Sequence, residues 1–358
     1  MNAKAALGVL LALLPAAQAS ADERRALAHD DVHPSVVIFT SSDLSVRMGG
    51  LLQLHLAPWV GEDAQLDDQD PAAQSGFRLR RARLGVDATL PRGAGFLLVL
   101  SPLDSDPESS AISEARLTLP GPAGLRLWVG ADKVPFSRAE LMSSANLASI
   151  ERPLVARTLV PQRRLGAVIE GAYLDNRLKF AAGVMNGTEG YERGNQFGGE
   201  LLVARVEGEA DAGPVKLGIG LGGFYENGPA TRTMAASADL HASVAGASLL
   251  LEGICDRTKP EDSPVTSPEV PSTVKRCGGY AEATYLVEKL RTTGVVRVEL
   301  LDDNLDVEDA GDAWLLSAGM NLRASANVRL QLHYLGRYER KGSERANDSV
   351  IMNHQGEL

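Results

Sequence analysis

The chain has 358 residues, 44% of them hydrophobic and 23% charged, with a formal net charge of −10. That acidic balance excludes a protein that holds nucleic acid through its phosphates regardless of sequence. No stretch offers the roughly 18 consecutive apolar residues of a membrane helix, and with 5% aromatics and 36 glycines the chain is poorly supplied for a bulky soluble sandwich core.

The first residues read as an export leader. Lys4 precedes the apolar run Ala5 to Leu14, and Ala17-Gln18-Ala19 forms a small-x-small cleavage site. The run is too short to span a bilayer, so residues 1–19 are expected to be a cleaved signal peptide, with Ala21 as the next possible cleavage point. Residues 20–43 are then a short N-terminal periplasmic segment, and 44–358 one large domain.

From Val46 onward the hydrophobic period is two, as a half-buried strand requires. Val46, Met48, Leu52, Leu54 and Leu56 share one face, with Arg47, Gln53 and His55 on the other. Ala82, Leu84, Val86 and Ala88 face away from Arg81, Arg83 and Asp87. The rhythm returns at Leu125 to Val129, Leu178 to Val184 and Val215 to Leu221, weakens over Phe96 to Leu119 and Thr231 to Asp256, and resumes at Trp314 to Leu322 and Val328 to Tyr334. Cys255 and Cys277, the only cysteines, flank a segment with four prolines that reads as an exposed loop. In an oxidising compartment a disulfide there removes about 3 kcal/mol of unfolded-chain entropy; two unpaired thiols are the alternative. The six histidines show no ligand spacing with these cysteines, so neither metal nor cofactor is expected.

The connections alternate too. Short turns at Pro91 to Ala94, Pro120 to Ala123, Leu174 to Asn176, Val244 to Ala247 and Ala324 to Ala326 interleave with long polar loops, the first rich in acids from Glu62 to Asp70 and a later one from Asp302 to Asp309. This predicts an all-β fold: a transmembrane antiparallel β-barrel of about 16 strands, with short periplasmic turns and long extracellular loops. Trp59, Trp314 and Tyr338 fall where an outer aromatic girdle belongs, while the periplasmic girdle is sparse. The final strand ends in Leu358 rather than an aromatic residue.

One loop, Phe136 to Gln162, is too long to be idle and is expected to fold into the lumen as a constriction. With its flanks it carries Lys133, Arg138, Arg152, Arg157, Arg163 and Arg164 against Asp132, Glu140 and Glu151, a local reversal of the chain's sign. Guanidinium forks suit oxyanions, and closely spaced bases permit release. Arg81, Arg83 and Arg126 add basic groups to the lumen by strand register, although Asp87 and Glu114 are able to neutralise the first two. Glu170, Asp239, Glu282 and Glu299 also point inward, and strict alternation from Leu127 puts Lys133 outward.

Several stretches resemble the phosphate- and polyphosphate-selective porin family, porins O and P. They are Phe77-Arg78-Leu79-Arg80-Arg81-Ala82-Arg83-Leu84-Gly85, Val129-Gly130-Ala131-Asp132-Lys133-Val134-Pro135-Phe136-Ser137, Glu151-Arg152-Pro153, Arg163-Arg164-Leu165-Gly166, Gly183-Val184-Met185-Asn186-Gly187 and Ala204-Arg205-Val206, in family order. The resemblance implies a bacterial outer-membrane channel, a homotrimer of barrels that passes small anionic solutes by diffusion and contacts lipid and lipopolysaccharide. Two other readings remain open: a plugged or narrow barrel serving as a structural or adhesive surface protein, and an outer-membrane hydrolase using Ser237 near His241, for which no nucleophile motif is present.

Overall fold

The computed structural model describes residues 32, 36–61, 75–102, 111–187, 195, 198–228, 231–260, 273–307, 313–339 and 347–358. The leader, most of the N-terminal segment, the first acidic loop and the later acids Glu308 and Asp309 lie outside the described residues.

Seventeen strands form one antiparallel sheet: β1 (Val36–Thr40), β2 (Ser45–Val60), β3 (Gly76–Thr89), β4 (Gly95–Leu100), β5 (Ile112–Pro120), β6 (Leu125–Lys133), β7 (Arg163–Tyr173), β8 (Leu178–Asn186), β9 (Glu200–Ala212), β10 (Val215–Asn227), β11 (Thr231–Val244), β12 (Ala247–Pro260), β13 (Val274–Val287), β14 (Thr292–Asp302), β15 (Ala313–Arg323), β16 (Val328–Glu339) and β17 (Ser349–Glu357). Each of β2 to β16 pairs with the next, and β17 returns to β2 from Ser349↔Val60 to Glu357↔Leu51, so sixteen strands close the barrel. β1 is the remainder. It doubles back through Ser41–Leu44 and pairs with the first residues of β2, beyond the point where β17 ends.

Turn chemistry explains the short end. Ala245 and Gly246 both take positive φ, 47° and 83°, between the paired residues Val244 and Ala247, which is the two-residue turn whose twist matches a hairpin. Pro91-Arg92-Gly93 and Pro122-Ala123-Gly124 repeat one design, in which proline starts the turn and the last two residues are left-handed. Gly213 and Glu288–Leu290 supply two further turns that the polar pattern had not marked.

The outward face is apolar. Leu52, Leu54, Ile219, Leu221, Leu240, Leu249, Val296, Val298 and Leu300 are all exposed, an arrangement stable only against hydrocarbon. Trp59, Phe77, Tyr225, Trp314 and Tyr338 are exposed toward the loop end, and Phe96 and Tyr285 toward the turn end, so both girdles have members. Among the described residues no helix is long and apolar enough to cross a membrane; the strands do so.

Inside, the barrel is less uniformly polar than alternation predicts. The largest apolar cluster lies within it, where Phe136, Leu141, Val155 and Leu159 of the long loop meet Trp128, Val168, Val203, Phe224, Leu250 and Ile254 of the wall. Phe136 meets Phe224 edge-on at 4.8 Å between ring centroids. The disulfide Cys255–Cys277 forms, but not at the mouth of a loop: β12 runs on to Pro260 and β13 begins at Val274, so the cysteines are direct cross-strand partners with Cα atoms 4.1 Å apart.

This inside-out arrangement sets an expected cost. Val296→Arg, on the outer face near the middle of β14, should destabilise the folded barrel by about 2–4 kcal/mol in lipid vesicles, the range for a base placed at the bilayer midplane. Urea unfolding read by gel mobility checks it, and an unchanged midpoint contradicts a lipid-facing Val296.

Candidate pore constriction

The loop leaves β6 and enters β7 through a hydrogen bond from the Val134 amide to the Gln162 carbonyl, 3.0 Å, and between them turns into the lumen. It holds two short helices, α1 (Arg138–Leu141) and α2 (Leu154–Leu159), joined by a tight turn at Ser144–Asn146. Ser137 and Ser143 cap the first two of these elements, their hydroxyls accepting from the amides of Glu140 and Ala145; Pro153 precedes α2.

A loop within a barrel must find partners for its backbone carbonyls. The wall provides them around most of the circumference. Gln53 of β2 donates to Ser144 O, Gln355 of β17 to Ala145 O, Asn321 of β15 and Gln331 of β16 to Ala148 O, and Arg297 of β14 to Glu151 O. Arg205 of β9 and Ser237 of β11 both donate to Phe136 O, at 2.8 and 2.9 Å. Gly222 of β10 admits that same carbonyl: a Cβ there would lie 2.3 Å from it.

The basic residues fall into distinct groups. A register shift opposite Gln53/Leu54 leaves Arg80 as an extra residue in β3, a bulge that turns two successive arginines inward. Arg80 and Arg81 both reach Glu151 of the loop, at 2.5 and 2.7 Å, and Arg83 donates to Ser144 Oγ at 3.0 Å. Arg152 is buried and spends its guanidinium within the loop, on Glu140 at 3.0 Å, on Ser144 Oγ, and on the carbonyls of Ala139, Glu140 and Met142. Arg157, on α2, shares a cavity of about 20 Å³, near the size of one water, with Arg152, Arg297, Arg337, Glu151 and Glu299. Arg138 faces Asp239 of β11 at 3.5 Å, Arg163 faces Glu114 at 3.3 Å, Arg164 lies 4.0 Å from Glu226, and Arg126 pairs with Glu170 at 2.8 Å nearer the turn end. Lys133 does not point outward: it is buried, with Nζ directed to the carbonyls of Leu141 and Met142.

Arg80, Arg116 and Arg205 join the site although the sequence pattern does not single them out as candidates, Arg80 and Arg205 standing there only in the stretches that carry the family resemblance. Arg80 has the parity of an outward residue, and only the bulge reverses it. Arg116 falls in the weakly patterned β5 and pairs with Asp132, while Arg205 is buried between Glu207 and Asp239. Ser237 is committed to Phe136 O and stands four residues along an extended strand from His241, about 13 Å, out of hydrogen-bond reach.

No curated protein sequence matches the chain. Among solved structures, OmpT of Vibrio cholerae, an outer membrane protein, superposes with a TM-score of 0.61 at 12% identity over 90% of this chain and 100% of that one. The anion-selective porin of Comamonas acidovorans gives 0.60 at 17% identity over 88% and 100%. The outer membrane channel DcaP of Acinetobacter baumannii gives 0.59 at 11% over 90% and 100%. These likenesses establish the barrel. The family model for phosphate-selective porin O and P matches residues 53–234, the half that carries the β3 arginines and the whole inward loop. The chain belongs to that porin family and is an outer-membrane β-barrel channel.

Proposed function

We propose that the protein is a passive, narrow, anion-preferring channel for small solutes such as phosphate and other oxyanions, working as a homotrimer. The observation that carries the anion preference is the orientation of its ion pairs. Arg80 keeps 22% of its side chain exposed against 5% for Glu151, Arg138 22% against 1% for Asp239, Arg116 14% against 3% for Asp132, and Arg163 14% against 0% for Glu114. In these four pairs the carboxylate lies behind and the guanidinium in front. A passing solute meets the front charge first, and low-dielectric walls focus its field. A wall nearly balanced in charge thus still presents a positive surface. The opposite orientation occurs at Arg164–Glu226 beside the loop and at Lys179–Glu209 near the turn end, and the buried Arg205 and Arg297 are less exposed than Glu207 and Glu282.

Arg138 and Arg163 are accordingly the members of the basic set best placed to meet solute, joined by Arg80 and Arg116. Arg152, Arg164, Arg81, Arg83 and Lys133 support them from buried positions, Arg157 lines the small cavity, and Arg126 lies on the periplasmic approach. One observation favours a second reading, the plugged barrel: from Phe136 to Gln162 only Asn146 is exposed, so the loop fills much of the section it crosses.

In planar bilayers across a KCl gradient, the reversal potential should show chloride preferred over potassium, and phosphate should reduce the chloride current. Arg80→Ala and Arg138→Ala should each lessen the preference. Equal permeabilities would remove the anion reading, and folded protein without conductance would establish the plug. A separate expectation concerns stability. Glu151→Ala leaves the buried Arg81 unpaired and should cost about 3–5 kcal/mol, whereas Arg47→Ala, breaking the half-exposed pair with Asp87, should cost less than about 1 kcal/mol. Equal losses in urea unfolding would contradict the described burial.

A further inference from the structure

Two buried carboxylates of the far wall hold the loop by its amides. Glu252 of β12 accepts from the amide of Arg138 at 2.8 Å with one oxygen and from that of Ala139 at 3.0 Å with the other. Glu299 of β14 accepts from the amide of Leu154, the first residue of α2. The first two amides of α1 and the first amide of α2, which have no partner within their helices, are therefore satisfied by acids from the opposite side of the barrel. The arrangement binds both ways. Glu252, 3% exposed, is compensated by those amides and by the Tyr280 hydroxyl at 3.1 Å, so withdrawing the loop would strand a charge in the interior.

The clamps also aim side chains. Asp239 and Glu252 are direct cross-strand partners, so one step of the wall holds the Arg138 backbone through Glu252 and the Arg138 guanidinium through Asp239. On β14, Glu299 holds Arg297 at 2.7 Å, and Arg297 in turn donates to the Glu151 carbonyl at 2.8 Å, next to Arg152. We infer that Glu252 and Glu299 are positioning residues that fix the depth of the constriction loop and the direction of Arg138, and thereby set the channel's width and its selectivity. Their acidity serves the loop and not a cation in transit. The consequence for conduction rests on the channel reading above; the claim about the loop does not.

Glu252→Gln and Glu299→Gln, singly and together, test it in the full-length folded protein. Glutamine keeps the size but turns one acceptor into a donor, so at position 252 one loop amide loses its partner, and at position 299 either the Leu154 amide or Arg297 does. In hydrogen–deuterium exchange the amides of 136–159 should exchange about tenfold faster in the double variant, with the strand amides unchanged. Asp256→Asn, on the same strand but bonded to Arg276, should leave the loop as in the parent. Where the parent conducts, the double variant should show higher and noisier single-channel current with weaker anion preference. Unchanged loop exchange in the folded double variant, or the same acceleration in Asp256→Asn, overturns the inference. If a glutamine variant fails to fold, Glu252→Asp, which keeps the charge but shortens the reach, should still speed exchange at Arg138 and Ala139, and no change there is equally fatal. A non-conducting parent would undo the channel reading while the exchange result still decides this one.

Discussion

Hydrocarbon offers no hydrogen bonds, so a chain that crosses it as strands must pair every backbone amide and carbonyl within itself, and an open sheet edge is not tolerated. The pairing of β17 with β2 answers that demand, and much else follows from it. Closure makes one face lipid and the other lumen, which forces the period-two pattern. It also makes the strand number even, because both ends of the closed antiparallel sheet must come together at the turn end. β1 lies outside the ring and, among the described residues, pairs only with β2.

The same need for partners governs the loop. A segment carried into a barrel brings its own carbonyls and amides, and here the wall is built around them: amides of Gln53, Gln355, Asn321 and Gln331 for carbonyls, carboxylates of Glu252 and Glu299 for amides. Part of the acidic content of the inner wall is thereby explained without reference to the solute. A lumen with many acids and many bases need not be neutral to a passing ion, since what matters is which member of each pair stands nearer the water.

Much of the fold was legible because a barrel writes its topology as a rhythm. Leu52, Leu54 and Leu56 against Gln53 and His55, and short turns alternating with long loops, sufficed for strand number and facing. What was not legible is where the rhythm slips. The bulge at Arg80 reverses the parity of that residue, and nothing in Arg80-Arg81 marks which of the two will turn. Lys133 sits at the last residue of β6, where the chain bends toward the loop and alternation ceases to bind. The apolar cluster around Phe136 was hidden because inward Val203, Phe224, Leu250 and Ile254 sit among outward apolar residues, and only contact with the loop tells the two sets apart. The cluster of bases near the loop was readable as a local reversal of charge. That Arg152 would turn back on its own loop, while Arg138 and Arg163 face across it, depends on tertiary geometry alone.

The proposed anion preference rests on the orientation of ion pairs beside the loop and not on their number. Exchanging the members of one pair tests this with net charge unchanged: Arg163→Glu combined with Glu114→Arg, measured as reversal potential in a salt gradient on protein shown to be folded. Anion preference should fall, because the carboxylate now stands in front. A reversal potential identical to the parent's would contradict it.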